Sequence, residues 1–362
     1  MKTGKIPEAV LKRSVLKQCQ NTHPAVLQGA GSGSDCALIL TAEKSAVSCS
    51  VHPAVLDTMK KVRFAIEHAV NNLACAGSEP EAVLLTVLLP ENTEEAFLKE
   101  VMREAEAVCK ELGIQIAGGH TEVNPAVMLP LLTVTALGAA PSGATTSKAI
   151  APRATPSGEA ASGAATSGVH GAGAMDSYLR AAGAQPGMDV LIAGTVAREG
   201  TALLAWAHEE ELKKRFPADF VEQAESFGSS ISILQAARVA MQCGAAALHD
   251  ASQGGIFGAL WELCEGAGCG LTADLRKIPI RQETIEICEY FGYNPYCLLS
   301  GGALLVVAPD GRRVEMELAR HGITAAVIGK LTDSNDRILL NGEERRFLDR
   351  PAQDEIWKER GV

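Results

Sequence analysis

The chain has 362 residues, and its 33 basic and 43 acidic side chains give a net charge of −10. A composition of 47% hydrophobic and 21% charged residues supplies enough apolar material for packed cores and excludes a protein that is disordered throughout. An acidic chain without blocks of Lys and Arg is a poor general nucleic-acid binder, because neutralising phosphates requires clustered cations. No apolar run reaches the ~18 residues of a membrane span, and the first residues lack the apolar core of a secretory signal. These features predict a cytoplasmic globular protein with small-molecule or protein partners.

The chain contains ten cysteines, none of them in a C-x-x-C pair or near a histidine at zinc-finger spacing. A disulfide framework is typical of short secreted chains. We therefore expect reduced cysteines that serve as small core hydrophobes, with a structural metal cluster as the alternative.

One segment differs in composition from the rest. Between positions 141 and 174, 28 of 34 residues are Ala, Gly, Ser, Thr or Pro. Such a segment buries too little apolar surface to offset its ordering entropy. The sequence therefore predicts an N-terminal domain over 1–140, a flexible linker over 141–174 and a C-terminal domain over 175–362.

Apolar periodicity predicts alternating strands and helices in both halves. The run at 82–89 is almost continuously apolar, which predicts a central strand buried on both faces. Asn92 is expected to cap the helix that Gly113 ends. The predicted strands are 37–40, 46–50, 82–89, 114–117, 131–138, 189–193, 246–248, 270–274, 303–308 and 325–328. The predicted helices are 57–76, 92–112, 200–212, 217–227, 231–243, 255–266, 282–292 and 312–321.

Four turns combine glycine with acidic, amide or histidine side chains, and they are the candidate functional segments. Glycines let backbone N–H groups approach an anion, a helix N-terminus adds a favourable dipole, and carboxylates suit Mg²⁺. No Walker motif, G-x-S-x-G motif or kinase loop set is present. The four turns are 31–37, 71–80, 118–122 and 249–255.

Each of these turns also has a plain structural explanation, as a connection between a strand and a helix. His120 and His249 are predicted in loops after strands, where each is either a catalytic group or a hydrogen-bonded loop histidine. Asp250 is either a functional carboxylate or a helix N-cap, and Asp35 either binds a ligand or stabilises its glycine turn. The other six histidines are expected at the surface.

Taken together, these segments resemble the superfamily of aminoimidazole-ribonucleotide (AIR) synthase, selenophosphate synthetase, thiamine-monophosphate kinase and the hydrogenase-maturation factor HypE. The chain is most similar to AIR synthase-related proteins of the HypE type, and the resemblance covers nearly all of it except about 141–174. The segments that carry the resemblance are 4–7, 33–37, 71–80, 118–123, 249–255, 277–283, 294–296 and 300–301.

The resemblance implies an α/β (α+β) fold of the PurM-like type with two domains. In that family the N-terminal domains pair in a homodimer whose strands form a β-barrel, and ATP with Mg²⁺ lies near the interface. Carried over to this chain, it implies metal binding by Asp35, Glu122 and Asp250, and catalysis by His120 or His249. It implies that the nucleotide is held by the glycines and polar residues of these turns, namely Gly33, Asn72, Gly118, Gly119, Thr121, Gly254 and Gly255.

The sequence departs from the family pattern in four places. Ser50 and Asn72 stand where similar proteins carry metal-binding aspartates, and the loss of two charges is expected to weaken Mg²⁺ binding. Ser34 stands where an acidic residue is common. The last cysteine is Cys297, so the HypE step that uses a C-terminal cysteine as carboxamide acceptor is not expected here.

Three functions remain open on these grounds. The first is an ATP-dependent enzyme, a ligase or phosphotransferase acting on a small substrate. The second is a degenerate member that binds a nucleotide or a partner protein, such as a maturation protein, without turnover. The third is an assembly scaffold that uses 141–174 as a docking tether.

Overall fold

A computed structural model describes residues 4–6, 8–19, 21–31, 36–41, 46–140, 183–350 and 353–358 of the chain. Two groups of predictions lie outside the described residues. These are the turn with Gly33, Ser34 and Asp35, and the linker over 141–174. Within the described part, the prediction of a mixed α/β fold is confirmed, because two sheets are each accompanied by helices.

The first sheet has six strands in the order β1-β2-β3-β6-β4-β5, and only the β4–β5 pair is parallel. It is open within one chain, with β1 and β5 as its edges, so no barrel closes within the described chain. The elements of this part are α1 (Glu8–Ser14), β1 (Val26–Gln28), β2 (Ala37–Leu40), β3 (Ala46–Val55), α2 (Lys60–Cys75), β4 (Glu79–Leu89), α3 (Glu95–Leu112), β5 (Gln115–Val123) and β6 (Leu131–Ala139).

Helix α2 forms because its apolar residues recur at three- and four-residue spacing over four turns. It is buried along most of its length, since it contacts β3 and β6 of the first sheet and also a strand of the second sheet. A helix in this position brings its few polar side chains into contact with both halves of the molecule.

Two predictions for this part are wrong. Strand β4 is not buried on both faces: its side chains alternate between buried and partly or fully exposed, and Leu84 is 37% exposed. Asn92 does not cap α3, whose N-cap residue is Glu94, and Asn92 instead adopts a left-handed conformation with φ 64°. Gly113 does end α3, with φ 71°, as predicted.

The second sheet has seven strands in the order β13-β12-β9-β11-β7-β10-β8, and only β9 and β12 pair in parallel. Its elements are β7 (Asp189–Ala193), α4 (Arg198–Ala207), α5 (Glu209–Arg215), α6 (Ala218–Ser226), α7 (Leu234–Gln242), β8 (Ala247–Ala251), α8 (Gly255–Ala267), β9 (Gly270–Asp274), α9 (Gln282–Phe291), β10 (Ala303–Ala308), α10 (Gly311–Arg320), β11 (Ala325–Thr332), β12 (Arg337–Asn341) and β13 (Glu344–Phe347).

The second half follows the predicted alternation with two differences. The helix predicted over 200–212 is two helices, because the chain breaks at His208 between α4 and α5. The hairpin of β12 and β13 was not predicted, since its short, charged β13 lacks an apolar alternation.

All ten cysteines are free thiols, and the prediction that they are small core residues is confirmed for the six that are buried, whereas Cys19 is exposed. Burial raises the pKa of the Cys109 thiol to about 11 and that of Cys264 to about 12, so both are neutral at physiological pH. Among the helices that the structure describes, none combines the length and apolar composition that crossing a bilayer requires.

Candidate functional site

The Gly-Gly-His-Thr-Glu segment belongs to strand β5 and is not a turn after it, so the predicted loop position of His120 is wrong. Gly118 and Gly119 pair in parallel with Leu84 and Leu85 of β4. A Cβ on Gly119 would lie 1.9 Å from the carbonyl oxygen of Leu85. The second glycine is therefore required for the close approach of two strands, whatever else it does.

His120 and Glu122 lie two residues apart on the same face of this edge strand and form an exposed pair. Their Nε2 and Oε2 atoms are 3.1 Å apart, and the side chains are 63% and 44% exposed. The side chain of Asn124 donates to the other oxygen of Glu122 at 2.8 Å. These hydrogen bonds, first from His120 and then from Asn124, lower the pKa of Glu122. Thr121 is exposed on the opposite face of the strand.

His249 and Asp250 also lie within a strand, β8, and both are buried. The predicted loop position of His249 is therefore wrong as well. Its Nε2 atom is 3.3 Å from Oε2 of Glu262, whose other oxygen is 2.6 Å from Nζ of Lys5. Burial alone would raise the pKa of Glu262, but the contacts with His249 and Lys5 outweigh it and lower the pKa.

A carboxylate of the chain already occupies the N-terminus of α8, which is where the sequence predicted a phosphate contact. The backbone N–H of Gly254, the N-cap residue with φ 87°, donates to Oδ2 of Asp354 at 2.6 Å. Oδ1 of Asp354 accepts from the N–H groups of Leu299 and Ile356 at 3.2 and 2.9 Å. Burial raises the pKa of Asp354 to about 6, although these three N–H groups favour its charged form.

Gly255 makes a similar structural contribution. A Cβ at this position, where φ is 63°, would lie 2.6 Å from the carbonyl oxygen of Tyr296. The glycine pair at the start of α8 therefore fits a close contact with the 296–298 segment and the carboxylate of Asp354, and an incoming phosphate would have to displace that carboxylate.

The structure also brings together a buried polar group that the sequence did not predict. His68 of α2 was expected at the surface, but it is buried, and its Nε2 lies 2.9 and 3.0 Å from the two carboxylate oxygens of Glu199. Glu199 Oε2 also accepts from the N–H of Gly301 at 3.2 Å. The ring of His52 stacks on His68 with a centroid distance of 4.5 Å.

The two stacked histidines have opposite protonation tendencies. Burial, followed by the charge of His68, lowers the pKa of His52 to about 3. Burial would also lower the pKa of His68, but Glu199, followed by Asp250 and Glu67, outweighs that effect and raises it. The group therefore favours a proton on His68, in contact with the carboxylate of Glu199, while His52 stays neutral.

Two further polar residues of α2 join the same seam between the halves. Glu67 accepts from the backbone N–H of Ile231 at 2.7 Å and from the hydroxyl of Ser230 at 2.8 Å. Asn71 donates to the carbonyl of Ile231 at 2.8 Å and accepts from the N–H of Ile233 at 3.0 Å. These two residues and His68 stand at i, i+1 and i+4 on α2 and are buried, but the sequence of the helix alone does not show which residues they meet.

The two positions that depart from the family pattern have different surroundings. Ser50 is buried on β3, and its hydroxyl donates to the carbonyl of Ala69 on α2 at 2.6 Å. Asn72 is half-buried on α2, next to the cross-linking Asn71. Of the predicted metal ligands, Glu122 and Asp250 lie in different sheets. Within the described residues, which leave out Asp35, no three His, Cys, Asp or Glu side chains are grouped to hold a metal.

The fold and the seam define a class of protein with two mixed, mainly antiparallel sheets joined by a helix that carries buried charges. Residues 33–140 match the N-terminal domain of AIR synthase related proteins, and residues 185–340 match their C-terminal domain. The chain therefore belongs to the AIR synthase related protein family.

Two relatives are similar over most of their length. A provisionally named hydrogenase expression/formation protein of Methanocaldococcus jannaschii is 24% identical, over 98% of this chain and 96% of the relative. Carbamoyl dehydratase HypE of Rhodobacter capsulatus is 26% identical, over 74% of this chain and 68% of the relative.

Solved structures share the fold. A chain of a HypE–HypF complex matches with a TM-score of 0.69 at 19% identity, over 95% of this chain and 100% of that chain. HypE in complex with ATP matches with a TM-score of 0.66 at 18% identity, over 98% of this chain and 97% of that chain. Membership of the AIR synthase related family, to which the sequence resemblance pointed, is thus confirmed by the two domain matches, and the solved structures show the same fold.

Proposed function

We propose that the protein binds ATP and uses it to activate or phosphorylate a small substrate. The observation that carries this proposal is the buried His68–Glu199 pair, beside which the buried carboxylate of Asp250 on β8 also raises the pKa of His68. Burying three ionisable side chains costs stability compared with apolar residues of similar size. A proton held on a buried histidine against a carboxylate suits a step in which charge develops on a transferred group.

Membership of the family supports the nucleotide part of the proposal. A HypE structure of the same fold is a complex with ATP, and its likeness covers nearly the whole of both chains. We propose that Mg²⁺, held through Asp35 and Asp250 with Glu122 as the third candidate, neutralises the phosphates. Ser50 and Asn72 weaken that metal affinity, because neither offers a carboxylate.

The proposal is tested by calorimetric titration of the full chain with ATP, with and without Mg²⁺, followed by a phosphate-release assay on the same sample. We expect Mg²⁺-dependent binding with slow release. Asp35→Asn and Asp250→Asn should each abolish release, whereas Asp57→Asn, which removes a partly exposed carboxylate paired with Lys61, should not. If Asp35→Asn and Asp250→Asn leave turnover unchanged, the proposed metal site is wrong.

A second candidate function is a non-catalytic member that binds a nucleotide or a maturation-protein partner. Asp354 favours it, because its carboxylate occupies the N–H of Gly254 at the helix N-terminus expected to hold phosphate. A HypE–HypF complex among the structures of the same fold supports a protein partner of the maturation type. Absence of ATP binding in the titration, with or without Mg²⁺, would favour this candidate.

Restoring the family carboxylates separates the two candidates further. Ser50→Asp with Asn72→Asp places a carboxylate against the carbonyl of Ala69, so it should destabilise the metal-free protein. If the protein is a degenerate member that lost catalytic activity with these aspartates, Mg²⁺ should restore the stability of the double variant, and its ATPase activity should exceed that of wild type. A double variant that gains neither Mg²⁺ nor ATP affinity refutes the lost-aspartate explanation.

We also propose a homodimer formed through the first sheet. The face of this sheet opposite α2 is apolar and exposed. Val51 of β3 lies opposite Thr135 of β6, and Thr135 lies opposite Leu84 of β4, so the three residues share this face. Val51, Val55 and Leu84 are all classed among the exposed large hydrophobic residues. An apolar sheet face of this kind is typical of a protein–protein interface.

The expectation about a C-terminal cysteine acceptor stays a prediction.

A further inference from the structure

A polar cleft of ≈ 510 Å³ opens beside the second sheet, and none of its described lining residues belongs to the four candidate turns of the sequence. It lies between the end of β7, the start of α4 and the loop from α6 to α7. Two arginines, Arg198 and Arg281, line it, together with several hydroxyl and amide side chains. Among the described residues that line the cleft there is no Asp or Glu, which is unexpected in a chain of net charge −10.

Arg198 is held in this cleft without a carboxylate partner. Its guanidinium donates one long hydrogen bond, 3.4 Å, to the carbonyl of Phe227, and within the described part of the chain it forms no ion pair. The nearby carboxylate of Glu67 is engaged by Ile231 and Ser230. Burial lowers the pKa of Arg198, Glu67 raises it, and the positive charge of Arg281 lowers it.

Arg281 brings a second positive charge to the same wall. It pairs with Glu283 only through two hydrogen bonds of 3.3 Å, and its side chain remains 48% exposed. Two guanidinium groups that repel each other in a partly desolvated cleft are unfavourable unless an anion lies between them. Their shared position is therefore a feature that a bound anion would stabilise.

Gly302 keeps the space beside the arginine open. Its φ is 90°, and a Cβ there would lie 3.8 Å from Nη1 of Arg198 and 3.4 Å from Cα of Ile231. The hydroxyl groups of Thr195, Ser229 and Ser232 line the same cleft and add hydrogen-bond donors. A site for an oxygen-rich anion requires cations, hydroxyl donors and open space beside them, and this cleft has all three.

We infer that this cleft binds a phosphate group of a small molecule, with Arg198 and Arg281 as its charged ligands. A phosphate monoester carries nearly two negative charges and three terminal oxygens, which match two guanidinium groups and the surrounding hydroxyls. A carboxylate carries one charge and two oxygens and would leave part of this donor set unused. The inference does not depend on turnover or on ATP.

The test is a calorimetric titration of the full chain with inorganic phosphate at constant ionic strength and without nucleotide. Wild type should bind phosphate, and Arg198→Gln and Arg281→Gln should each weaken binding about tenfold. Arg198→Lys keeps the charge but not the forked geometry, so it should lie between wild type and Arg198→Gln. Arg312→Gln, at a helix start where the arginine is highly exposed, is the matched control and should bind as wild type does.

Three outcomes would overturn the inference. The first two are no phosphate binding by wild type and equal phosphate binding by all four variants. The third is that wild type, titrated with the dicarboxylate malonate, binds malonate in place of phosphate. Unfolding curves without phosphate show whether each variant is folded, and the partly exposed Arg281 is the substitution least expected to disturb folding. A second titration with ATP in saturating phosphate identifies the source of the group. If phosphate weakens ATP binding, the cleft holds the nucleotide's own phosphates. If ATP binds equally well with and without phosphate, the cleft holds the phosphate of a separate ligand.

Discussion

His68–Glu199 and His120–Glu122 are both histidine–glutamate pairs, and they differ in their surroundings more than in their geometry. The nitrogen–oxygen distances are 2.9 and 3.1 Å, but the first pair is buried and the second exposed. Exposed pairs are screened by water and add little stability. In a buried pair, each charge depends on the other because water cannot replace it.

This difference predicts unequal effects of the same substitution. Glu199→Gln should lower the free energy of unfolding by about 3 kcal/mol at pH 6, whereas Glu122→Gln should have no measurable effect. The pKa of His68 is raised on folding, so its contribution is complete below pH 6.5 and disappears as pH rises through the folded-state pKa. Urea denaturation at pH 6 and pH 9 measures both effects. A loss from Glu199→Gln that is the same at both pH values would contradict the charged-pair assignment.

At the scale of single elements, two glycine positions were predicted as ligand contacts and lie in close backbone contacts. Gly119 brings β5 against β4, and Gly255 brings the start of α8 against the 296–298 segment. In both cases the element is positioned by the absence of a side chain. A functional contribution of these glycines would be added to a structural one.

Gly119→Ala is therefore expected to destabilise the protein by about 1–3 kcal/mol, because a Cβ would overlap the backbone of Leu85. Gly118→Ala is the matched control, since a Cβ there would meet only the Leu84 side chain at 3.6 Å. Thermal unfolding of the two variants gives the comparison. Equal losses would mean that β5 does not approach β4 as closely as described.

Helix α8 supplies a prediction about pH. Folding raises the pKa of Asp354 from 3.8 to about 6, so its contribution to stability is complete below pH 4 and lost as pH rises through 6. Asp354→Asn removes this titration. The free energy of unfolding of Asp354→Asn minus that of wild type should be about 3 kcal/mol greater at pH 7.5 than at pH 4. Denaturation curves at these two pH values test it, and a difference that does not change with pH would show that Asp354 is not buried against α8.

The elements were predictable where the pattern was local. Strand 189–193 followed from an apolar run, and the end of α3 followed from the glycine at position 113. The loop positions of His120 and His249 were wrong, because a glycine pair next to a polar residue is typical of a turn and only the partner strand shows otherwise. The residues next to His120 and His249 in the sequence do not show which strands pair with them.

The polar contacts of the site could not be predicted for the same reason. Asp354 meets Gly254 from 100 residues away, and His68 meets Glu199 from 131 residues away. The apolar spacing of α2 predicted a helix correctly, but not that a second sheet covers the side of the helix that carries His68. Asp35 and Gly33 lie outside the described residues, so their functions stay predictions.

At the scale of the whole molecule, the exposed apolar face of the first sheet predicts self-association. If the proposed homodimer forms, Val51→Glu and Leu84→Glu should convert it to a monomer, because each would place a charge in the proposed interface. Met128→Glu is the control: Met128 is 86% exposed but lies in the loop between β5 and β6. Light scattering after size-exclusion chromatography reports the mass. A wild-type chain that is monomeric at all concentrations would rule out the homodimer.

The seam along α2 also constrains how this protein can diverge. Replacing His68 alone leaves Glu199 as an uncompensated buried charge, and replacing Glu199 alone leaves His68 without the partner that holds its proton. Single substitutions at either position are therefore costly, whereas a paired replacement by apolar residues restores the balance. Across descendants of this chain, these two positions should vary together, although 131 residues separate them along the polypeptide.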